Sequence, residues 1–422
     1  MNTLHLSESE LAQAAASMMA RCDQLAGISC DLPRLSRFYL TPEHRQANDL
    51  VGTWMKTAGL VVWEDPAGNL WGRYPAATGT AGKPIKRLVL GSHLDTVPNG
   101  GRYDGMLGVL AALAGVEQLA KAGIDLPFHV DIVGFGDEEG SRFGTTRLGS
   151  RAVAGSWQDD WWALTDAEGT TLREAFEQFG LKPERIAEAA LSPEQLIGYL
   201  ELHIEQGPVL EDRGLPLGVV TSIAGARRFS IELEGFAGHA GTVPMALRRD
   251  ALAGAAELVL AVESVAKEED VVATVGQLKA LPGGVNVIPG AVQLSLDIRS
   301  AQDGQRDRAL KRIRERLADI EQRRGLSSHW QETHKAGAVA CSDWWQQLQS
   351  RVLAELDMEP LRLMSGAGHD AMAMAEVTDC AMYFMRCRGG VSHHPDESIE
   401  QADLKPTLAA MAQTILRLAD DH

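Results

Sequence analysis

The first half of the chain contains several short apolar runs, and each run ends at a cluster of polar residues. The runs and the clusters that follow them are 85–90 before 91–95, 128–135 before 136–140, and 199–202 before 203–207. An apolar stretch at about 107–122 has the length of a helix and lies between the first two runs. Apolar strands that alternate with helices predict an α/β fold with a largely parallel sheet. Ligands bind beyond the carboxyl ends of such strands, where these polar clusters fall.

Polar residues also mark the starts of two helices near the beginning of the chain. Ser7 and Glu10 have the spacing of a capping box, and apolar residues follow them at helical intervals. Thr41 followed by Pro42 predicts a second helix that runs to about residue 58.

Between residues 221 and 335 the pattern changes to strict alternation of apolar and polar positions. The alternating strands are 229–234 and 292–297, and amphipathic helical stretches accompany them at about 248–267 and 305–323. This pattern is typical of strands with one solvated face. We therefore predict a smaller α+β domain at 221–335 that interrupts a large α/β domain formed by 1–220 and 336–422.

The composition narrows the function classes. The 422 residues include 40 Lys and Arg against 57 Asp and Glu, so the formal net charge is −17. Such a chain repels phosphate backbones and anionic lipids, and we expect no nucleic-acid or membrane partner. The five cysteines are scattered without a C-x-x-C pair, which favours a reduced compartment and no thiolate metal site. No secretory signal is visible, and the longest apolar run is too short to span a bilayer. We expect a soluble cytoplasmic protein.

Four histidines, His93, His203, His369 and His393, lie in acidic or glycine-rich contexts at predicted strand ends. A single histidine is more often a hydrogen-bonded surface or core residue than a ligand, and an isolated acidic run such as 137–139 is more often a solvated turn. The combination with Asp104 supplies imidazoles and carboxylates without sulfur, which suits Zn²⁺, Mn²⁺ or Co²⁺. Asp104 can bridge two such cations about 3.5 Å apart, with the other ligands divided between them.

Longer segments around these residues resemble a known family. They are 93–96, 104–105, 137–143, 201–207, 238–245, 286–289, 297–299, 365–370 and 392–395. They resemble the M20-type metallohydrolases and, within them, the hydantoinase/carbamoylase amidase branch. That branch includes allantoate amidohydrolase, N-carbamoyl-L-amino-acid amidohydrolase and β-ureidopropionase. The resemblance implies a zinc-peptidase-like catalytic domain with a mixed, largely parallel sheet, interrupted by a smaller α+β dimerisation (lid) domain.

The resemblance also assigns a metal centre with two divalent ions, Zn or Mn, with Co possible. The implied ligands are His93, Asp104, Glu139, His203 and His393. Glu138 becomes the general base, Asp95 orients the ring of His93, and His369 supports the centre rather than binding metal. His394 stands beside the expected ligand His393, and either imidazole can reach a metal. The family further implies a cis peptide between Asp104 and Gly105.

Substrate contacts follow from the same resemblance. The family's substrates are ureido acids, here allantoate or an N-carbamoyl-L-amino acid, cleaved at the carbamoyl C–N bond to release carbon dioxide and ammonia. Segment 39–45 favours allantoate slightly, because it resembles proteins grouped with allantoate amidohydrolases. The implied contacts are Arg299 with the substrate carboxylate; Gln206, Asn286 and His239 with the ureido group, His239 also stabilising the oxyanion; and Gly366, which lets backbone approach the ligand.

Two alternatives remain besides this function. One is a dipeptidase or aminoacylase of the same superfamily, and the other is a metal-free binding protein on the same scaffold. The resemblance also implies a homodimer with a shared active site, in which His239 and Asn286 of one subunit complete the metal site of the other.

Overall fold

The structure, a computed structural model, describes residues 7–77 and 84–421. The helices are α1 Glu8–Ala26, α2 Pro42–Thr57, α3 Met106–Lys121, α4 Leu148–Val153, α5 Leu172–Phe179, α6 Val209–Asp212, α7 Ala251–Glu269, α8 Asp303–Arg324, α9 Asp343–Glu355, α10 Ala371–Met374 and α11 Gln401–Asp421. The strands are β1 Val61–Glu64, β2 Leu70–Tyr74, β3 Arg87–His93, β4 His129–Phe135, β5 Leu196–Ile204, β6 Leu217–Ile223, β7 Gly225–Glu234, β8 Gly238–His239, β9 Val272–Thr274, β10 Leu278–Leu281, β11 Val287–Ile288, β12 Ala291–Ser300, β13 Ser327–Ala336, β14 Val339–Ala340, β15 Arg362–Ser365 and β16 Cys380–Met385.

The described chain forms two compact units. The first comprises residues up to Thr221 together with Cys341–Leu363 and the segment from Gly368 onward, and the second comprises Ser222–Ala340 and Met364–Ala367. The second unit thus includes residues 336–340 and Met364–Ala367, which lie outside the predicted range of 221–335.

The large sheet has a parallel core with antiparallel strands on both sides. Its order is β1-β2-β4-β3-β5-β16-β6-β14, with β15 pairing β6. The four central strands β4, β3, β5 and β16 are mutually parallel, and β2 and β6 join them in antiparallel orientation. Parallel strands need helical crossovers, and α3 supplies the one between β3 and β4. The predicted α/β fold with a mixed, largely parallel sheet is confirmed.

Apolar residues of the first unit form its core against this sheet. Helix α3 is buried along almost its whole length, and buried side chains of α1 and α11 belong to the same cluster. The capping box of Ser7 and Glu10 is present, and Thr41 caps α2 as the sequence predicts. Among the described residues, no helix combines the length and the apolar character needed to cross a bilayer.

The second unit contains a five-stranded antiparallel sheet that packs on α7 and α8. The sheet order is β10-β12-β7-β13, and β9 also pairs β12. Alternate residues of β7 and β12 are buried in a separate core with α7 and α8, while the residues between them are more exposed. This is the period-two pattern that the sequence displays.

Candidate metal centre and active site

The carboxyl ends of the parallel strands meet at one edge of the large sheet, and the predicted ligands begin there. His93 is the last residue of β3 and pairs with Phe135 at the end of β4, two residues before the acidic turn begins. His203 lies near the end of β5 and pairs with Phe384 of β16. The sheet register therefore brings together side chains that are more than a hundred residues apart.

Asp104 lies among three imidazole rings. Its Oδ1 is 3.0 Å from Nε2 of His203 and 3.6 Å from Nε2 of His93, and its Oδ2 is 3.1 Å from Nε2 of His393. Burial by itself raises the pKa of Asp104, but hydrogen bonds from the three rings outweigh it and hold this pKa well below its usual range. One carboxylate thus contacts all three predicted histidine ligands.

The turn that carries Glu138 and Glu139 is held by the carboxylate of Asp95. Its Oδ1 accepts a hydrogen bond from the backbone N–H of Glu138 (3.1 Å), and its Oδ2 accepts one from the N–H of Glu139 (3.2 Å). The same carboxylate lies 3.5 Å from Nδ1 of His93. Asp95 therefore contacts the ring of His93, a predicted ligand, and in addition fixes the backbone of both glutamates.

The two glutamates differ in what their carboxylates contact. Oε1 of Glu139 lies 3.5 Å from Nε2 of His393. The carboxylate of Glu138 is buried and makes no hydrogen bond to any residue in the described ranges. Burial raises the pKa of Glu138 to about 7 and that of Glu139 to about 10, and the negative charge of Asp104 acts in the same direction. A cation among these carboxylates would compensate both the burial and the mutual repulsion.

His393 reaches this cluster, whereas its neighbour His394 faces its own loop. Nδ1 of His394 accepts a hydrogen bond from the backbone N–H of Asp396 (3.2 Å) and lies 3.6 Å from the Asp396 carboxylate. His393 takes a left-handed backbone conformation with φ of 54°. The structure thus favours His393 over His394.

His369 is buried beside a ligand ring. Its imidazole lies 4.5 Å from the ring of His203 and 5.8 Å from that of Phe384, edge to face in both cases. Burial, together with the neighbouring His203, lowers the pKa of His369 well below its usual value. A neutral ring packed against His203 is consistent with the supporting role expected for His369.

Beneath these rings lies Glu201, a residue that the sequence analysis did not single out. Its Oε1 accepts a hydrogen bond from the Ser92 hydroxyl (2.7 Å), and its Oε2 accepts bonds from the Tyr199 hydroxyl (3.2 Å) and the Ala371 N–H (3.0 Å). Its signal in the sequence is a single acidic residue inside a largely apolar strand, which the structure shows to be almost entirely buried.

The side chains present fit two divalent cations. Donor atoms within 4.8 Å of one another occur in four groups of the described residues, of which two are His93, Glu138 and Glu139, and Glu201, His203 and His369. The other two are the group His93, Asp104 and His203 and the group Asp104, Glu139 and His393. Asp104 belongs to both groups, as a bridging ligand must. Imidazole nitrogens and carboxylate oxygens without sulfur suit Zn²⁺, Mn²⁺ or Co²⁺.

The side chains of Gln206, Ser392 and Asp104 contact one another beside the group of Asp104, Glu139 and His393. Nε2 of Gln206 donates hydrogen bonds to Oδ2 of Asp104 (3.1 Å) and to Oγ of Ser392 (3.0 Å). Oγ of Ser392 lies 3.2 Å from Oδ2 of Asp104 and 3.1 Å from Oε2 of Glu397. The sequence predicts Gln206, but it gave no role to Ser392 or Glu397, although both flank the motif of His393.

Arg299 and Gly366, both expected at the substrate, contact each other in the second unit. Nε and Nη2 of Arg299 donate to the two carboxylate oxygens of Asp297 (2.9 and 2.7 Å), and Nη1 donates to the carbonyl oxygen of Gly366 (2.7 Å). Three of the five guanidinium N–H groups are used in this way, and two are left for a ligand. A Cβ built on Gly366 would meet nothing within 4 Å, so open space lies beside its backbone.

His239 and Asn286, the other predicted substrate residues in the second unit, are neighbours on a two-stranded ribbon. Val287 of β11 pairs with His239 of β8, and the carbonyl oxygen of Asn286 accepts a hydrogen bond from the N–H of Ala240 (2.9 Å). Nδ1 of His239 accepts a bond from the N–H of Gly241 (3.1 Å), which leaves the ring proton on Nε2 in the neutral form. The exposed side of this ring is therefore a hydrogen-bond donor.

The predicted cis peptide after Asp104 is wrong for this structure. In the described residues the cis bonds are Leu32–Pro33 and Leu281–Pro282, and Asp104–Gly105 is trans. Gly105 instead makes the turn into α3 with φ of 73° and ψ of −58°. The positive φ of a glycine thus redirects the chain without a cis bond.

Comparisons with known proteins find a matching family model and several similar chains. Residues 89–417 match the model of the peptidase family M20/M25/M40. The chain is 41% identical to an N-carbamoyl-L-amino acid amidohydrolase of Geobacillus stearothermophilus, over 91% of this chain and 93% of the relative. It is 37% identical to allantoate deiminase 1 of Glycine max, over 92% and 86%. A solved hydantoinase/carbamoylase family amidase from Burkholderia ambifaria superposes with a TM-score of 0.89 at 32% identity, over 99% of both chains.

Proposed function

Because the chain belongs to the M20 peptidase family and to its hydantoinase/carbamoylase amidases, we propose that it hydrolyses the carbamoyl C–N bond of a ureido acid. It is a hydrolase of non-peptide C–N bonds, as its relatives are named. The observation that carries the finer proposal is Asp104, which two groups of potential ligands share, with the carboxylate of Glu138 nearby and without a hydrogen bond from the described residues.

Two divalent ions are the proposed cofactors. One would be held by His93, Asp104 and His203, and the other by Asp104, Glu139 and His393. When bound, such ions polarise a substrate carbonyl and make water a better nucleophile at neutral pH. The donor atoms of His93, Asp104, Glu139, His203 and His393 already lie close together without an ion. This arrangement reduces the conformational entropy that is lost when an ion binds.

Glu138 is the proposed general base. Its backbone is fixed by Asp95, while its carboxylate has no hydrogen-bond partner among the described residues, in contrast to Asp95, Asp104 and Glu397. In the proposed reaction this carboxylate takes a proton from the attacking water and returns it to the departing nitrogen. Water adds to the carbamoyl carbon, the C–N bond breaks, and the resulting carbamate falls apart into carbon dioxide and ammonia.

The substrate-binding residues have matching chemistry. The two free N–H groups of Arg299 can hold a carboxylate from one edge. The Nε2–H of His239 can donate to an oxygen that becomes negative during the attack. Gln206 and Asn286 offer amides for the ureido nitrogens and oxygen.

Of the candidate substrates, we place N-carbamoyl-L-amino acids first and allantoate second. The slight preference for allantoate rested on segment 39–45, and the structure uses that segment for internal contacts. Nδ1 of His44 accepts from the N–H of Leu40 (3.0 Å), and Arg45 pairs with Glu64 (2.6 Å). These contacts hold the start of α2 in place. The relative with 41% identity acts, by its name, on N-carbamoyl-L-amino acids.

A substrate panel tests the proposal. Metal-free protein is reloaded with Mn²⁺ or Zn²⁺, and ammonia release is measured from N-carbamoyl-L-amino acids, their D-enantiomers and allantoate. N-acetyl-amino acids and dipeptides are assayed beside them for release of the free amino acid. We expect turnover of at least one ureido acid. Cleavage of dipeptides or acyl-amino acids alone would overturn the proposal in favour of a peptidase or aminoacylase, and binding without turnover would favour a binding protein.

We also propose a homodimer in which His239 and Asn286 complete the partner's metal site. Eight of the twelve large apolar side chains that are exposed in the described residues lie in the second unit: Phe236, Met245, Leu247, Leu252, Leu260, Val272, Leu278 and Val285. That concentration supports an interface on this unit. No disulfide joins any of the five cysteines, which all lie in the described ranges, and four of them are buried, which supports the proposal of a reducing, cytoplasmic location.

A further inference from the structure

Glu397 connects two segments of the first unit that are far apart in the chain. Its side chain is buried, and Oε1 accepts hydrogen bonds from the backbone N–H groups of Tyr103 (2.8 Å) and Asp104 (3.1 Å). Its Oε2 accepts a bond from the hydroxyl of Ser392 (3.1 Å). One carboxylate therefore holds the backbone of Asp104 and the residue immediately before His393.

These contacts act on ligands and do not make Glu397 a ligand. Both of its oxygens already accept hydrogen bonds from protein groups, and none of the clusters of potential metal donors in the described chain includes it. The Ser392 hydroxyl also lies 3.2 Å from Oδ2 of Asp104. The network thus joins the backbone of Asp104, the carboxylate of Asp104 and the loop that carries His393.

The loop before Asp104 is shaped to receive this carboxylate. A Cβ built on Gly101 would lie 2.2 Å from both Cδ and Oε1 of Glu397. Any side chain at position 101 would therefore displace the Glu397 carboxylate from the two N–H groups. The buried carboxylate of Glu397 can occupy this place only because residue 101 is a glycine.

We propose that Glu397 is a positioning residue for the metal centre, holding Asp104 and His393 together so that the group of Asp104, Glu139 and His393 can bind its ion. The inference rests on the proposed metal centre and adds to it a residue that touches neither metal nor substrate. Residues that orient ligands from outside commonly change metal affinity by 10–100-fold when they are replaced.

The test measures metal binding directly. Metal-free full-length protein and its variants are titrated with Mn²⁺ by calorimetry, and bound metal is counted by elemental analysis. We expect wild-type protein to bind two ions and Glu397→Ala to bind one of them at least tenfold more weakly. Glu397→Gln should bind both nearly as wild type, because its amide oxygen still accepts the two backbone bonds and its NH₂ can donate to Ser392.

Gly101→Ala tests the same effect on ion binding without changing any polar side chain, because its methyl group would displace the Glu397 carboxylate. It should weaken the same ion, and combined with Glu397→Ala it should add little, because the displaced carboxylate is already gone. Asp65→Ala is the matched control. Asp65 is also buried and accepts bonds from the backbone N–H groups of Ala67 and Asn69, but it contacts no ligand. It should lower the thermal midpoint and leave two ions bound.

Undiminished binding of both ions by Glu397→Ala would overturn the inference. So would equal losses in Glu397→Gln and Glu397→Ala, or a loss in Asp65→Ala as large as that in Glu397→Ala. If wild-type protein itself binds fewer than two ions, the proposed metal centre fails instead. The two failures are therefore distinguishable.

Discussion

At the scale of single residues, one turn gives two adjacent glutamates different chemical environments. The carboxylate of Asp95 fixes the backbone of both, and the turn then directs Glu139 toward His393 while Glu138 stays without a hydrogen-bond partner among the described residues. A carboxylate locked by a cation cannot also transfer protons freely, so two neighbouring residues are needed for the two tasks.

Replacing each glutamate by glutamine separates these tasks. Glu138→Gln should retain bound metal while kcat falls by about 10²–10⁴-fold, the usual contribution of a general base. Glu139→Gln, the matched control, should lose metal, because an amide is a poorer ligand than a carboxylate. Metal content by elemental analysis and steady-state kinetics check both. A kcat near that of wild type in Glu138→Gln would contradict the assignment.

Arg299 can be tested against an arginine that shares its partner. Arg228 also pairs with Asp297, at 2.9 Å, but it lies on the adjacent strand β7, directly opposite Asp297, and is more exposed than Arg299. Arg299→Lys should raise KM for a ureido acid about tenfold or more, because lysine lacks the planar fork that binds a carboxylate through two bonds. Arg228→Lys should leave KM unchanged. Equal effects in both variants would mean that the change acts through Asp297.

The residues that the sequence reveals lie at the ends of predicted strands, whereas those that it misses act through hydrogen bonds to distant segments. His93, Glu138 and His203 stand directly after apolar strands, so the α/β pattern alone indicates that they share an edge of the sheet. Ser392 and Glu397 act through hydrogen bonds to groups almost 300 positions away, and no local periodicity reports such a pairing. The sequence context marks His393 as a candidate, and the family resemblance then assigns it the role of a ligand.

At the scale of elements, helix α3 joins the core to the proposed metal centre. It begins at Met106, directly after Asp104 and Gly105, and it ends at Lys121, just before Gly123. Both glycines have positive φ, 73° for Gly105 and 64° for Gly123. The glycine at the start is packed against a ligand, since a Cβ there would lie 2.4 Å from the ring of His93, whereas a Cβ on Gly123 would meet nothing within 4 Å.

These two glycines form a matched pair for substitution. Gly123→Ala should cost only the backbone strain of a left-handed alanine, about 1–2 kcal/mol of unfolding free energy. Gly105→Ala should cost more, because it also displaces the His93 ring, and it should weaken metal binding as well. Denaturant unfolding and metal titration measure the two effects. Equal losses of stability, with metal binding intact in both variants, would contradict the proposed contact between α3 and the centre.

The predicted elements agree best where local signals are strong. Caps at Ser7 and Thr41 and the alternation in β7 and β12 located their elements to within a few residues. One-turn helices such as α6 and α10 were not predicted, because four residues carry no helical period. Their positions depend on packing against the rest of the first unit rather than on local propensity.

At the scale of the whole molecule, the second unit concentrates exposed apolar surface and carries His239, Asn286 and Arg299. In a monomer this apolar surface stays in contact with water. In a two-fold symmetric dimer the same patch of each subunit is buried against the partner. The edge strands β10 and β13 of its sheet offer further pairing groups to a partner.

Mixing inactive variants tests the shared site. Subunits with Glu138→Gln and subunits with His239→Ala should regain activity when they are dissociated together and reassociated, because one site of each heterodimer then has both residues intact. Mixing His239→Ala with Asn286→Ala is the control, since each site of that heterodimer lacks one of the two and should stay inactive. Heterodimer formation is verified by native mass spectrometry. Heterodimers of the first pair without activity would refute the shared site.

The hydrogen-bond network that joins Asp104 to Ser392 can form only late in synthesis of the chain, because its two residues are far apart in sequence. These residues are 288 positions apart, an interval of roughly 15–60 s at a synthesis rate of about 5–20 residues per second. His93, Asp104 and His203 have all been synthesised well before the chain reaches residue 222, where the second unit begins. The second ligand group waits for His393, after that whole unit has been made. An incomplete chain therefore carries only one of the two proposed ligand groups, and only the nearly finished chain carries both.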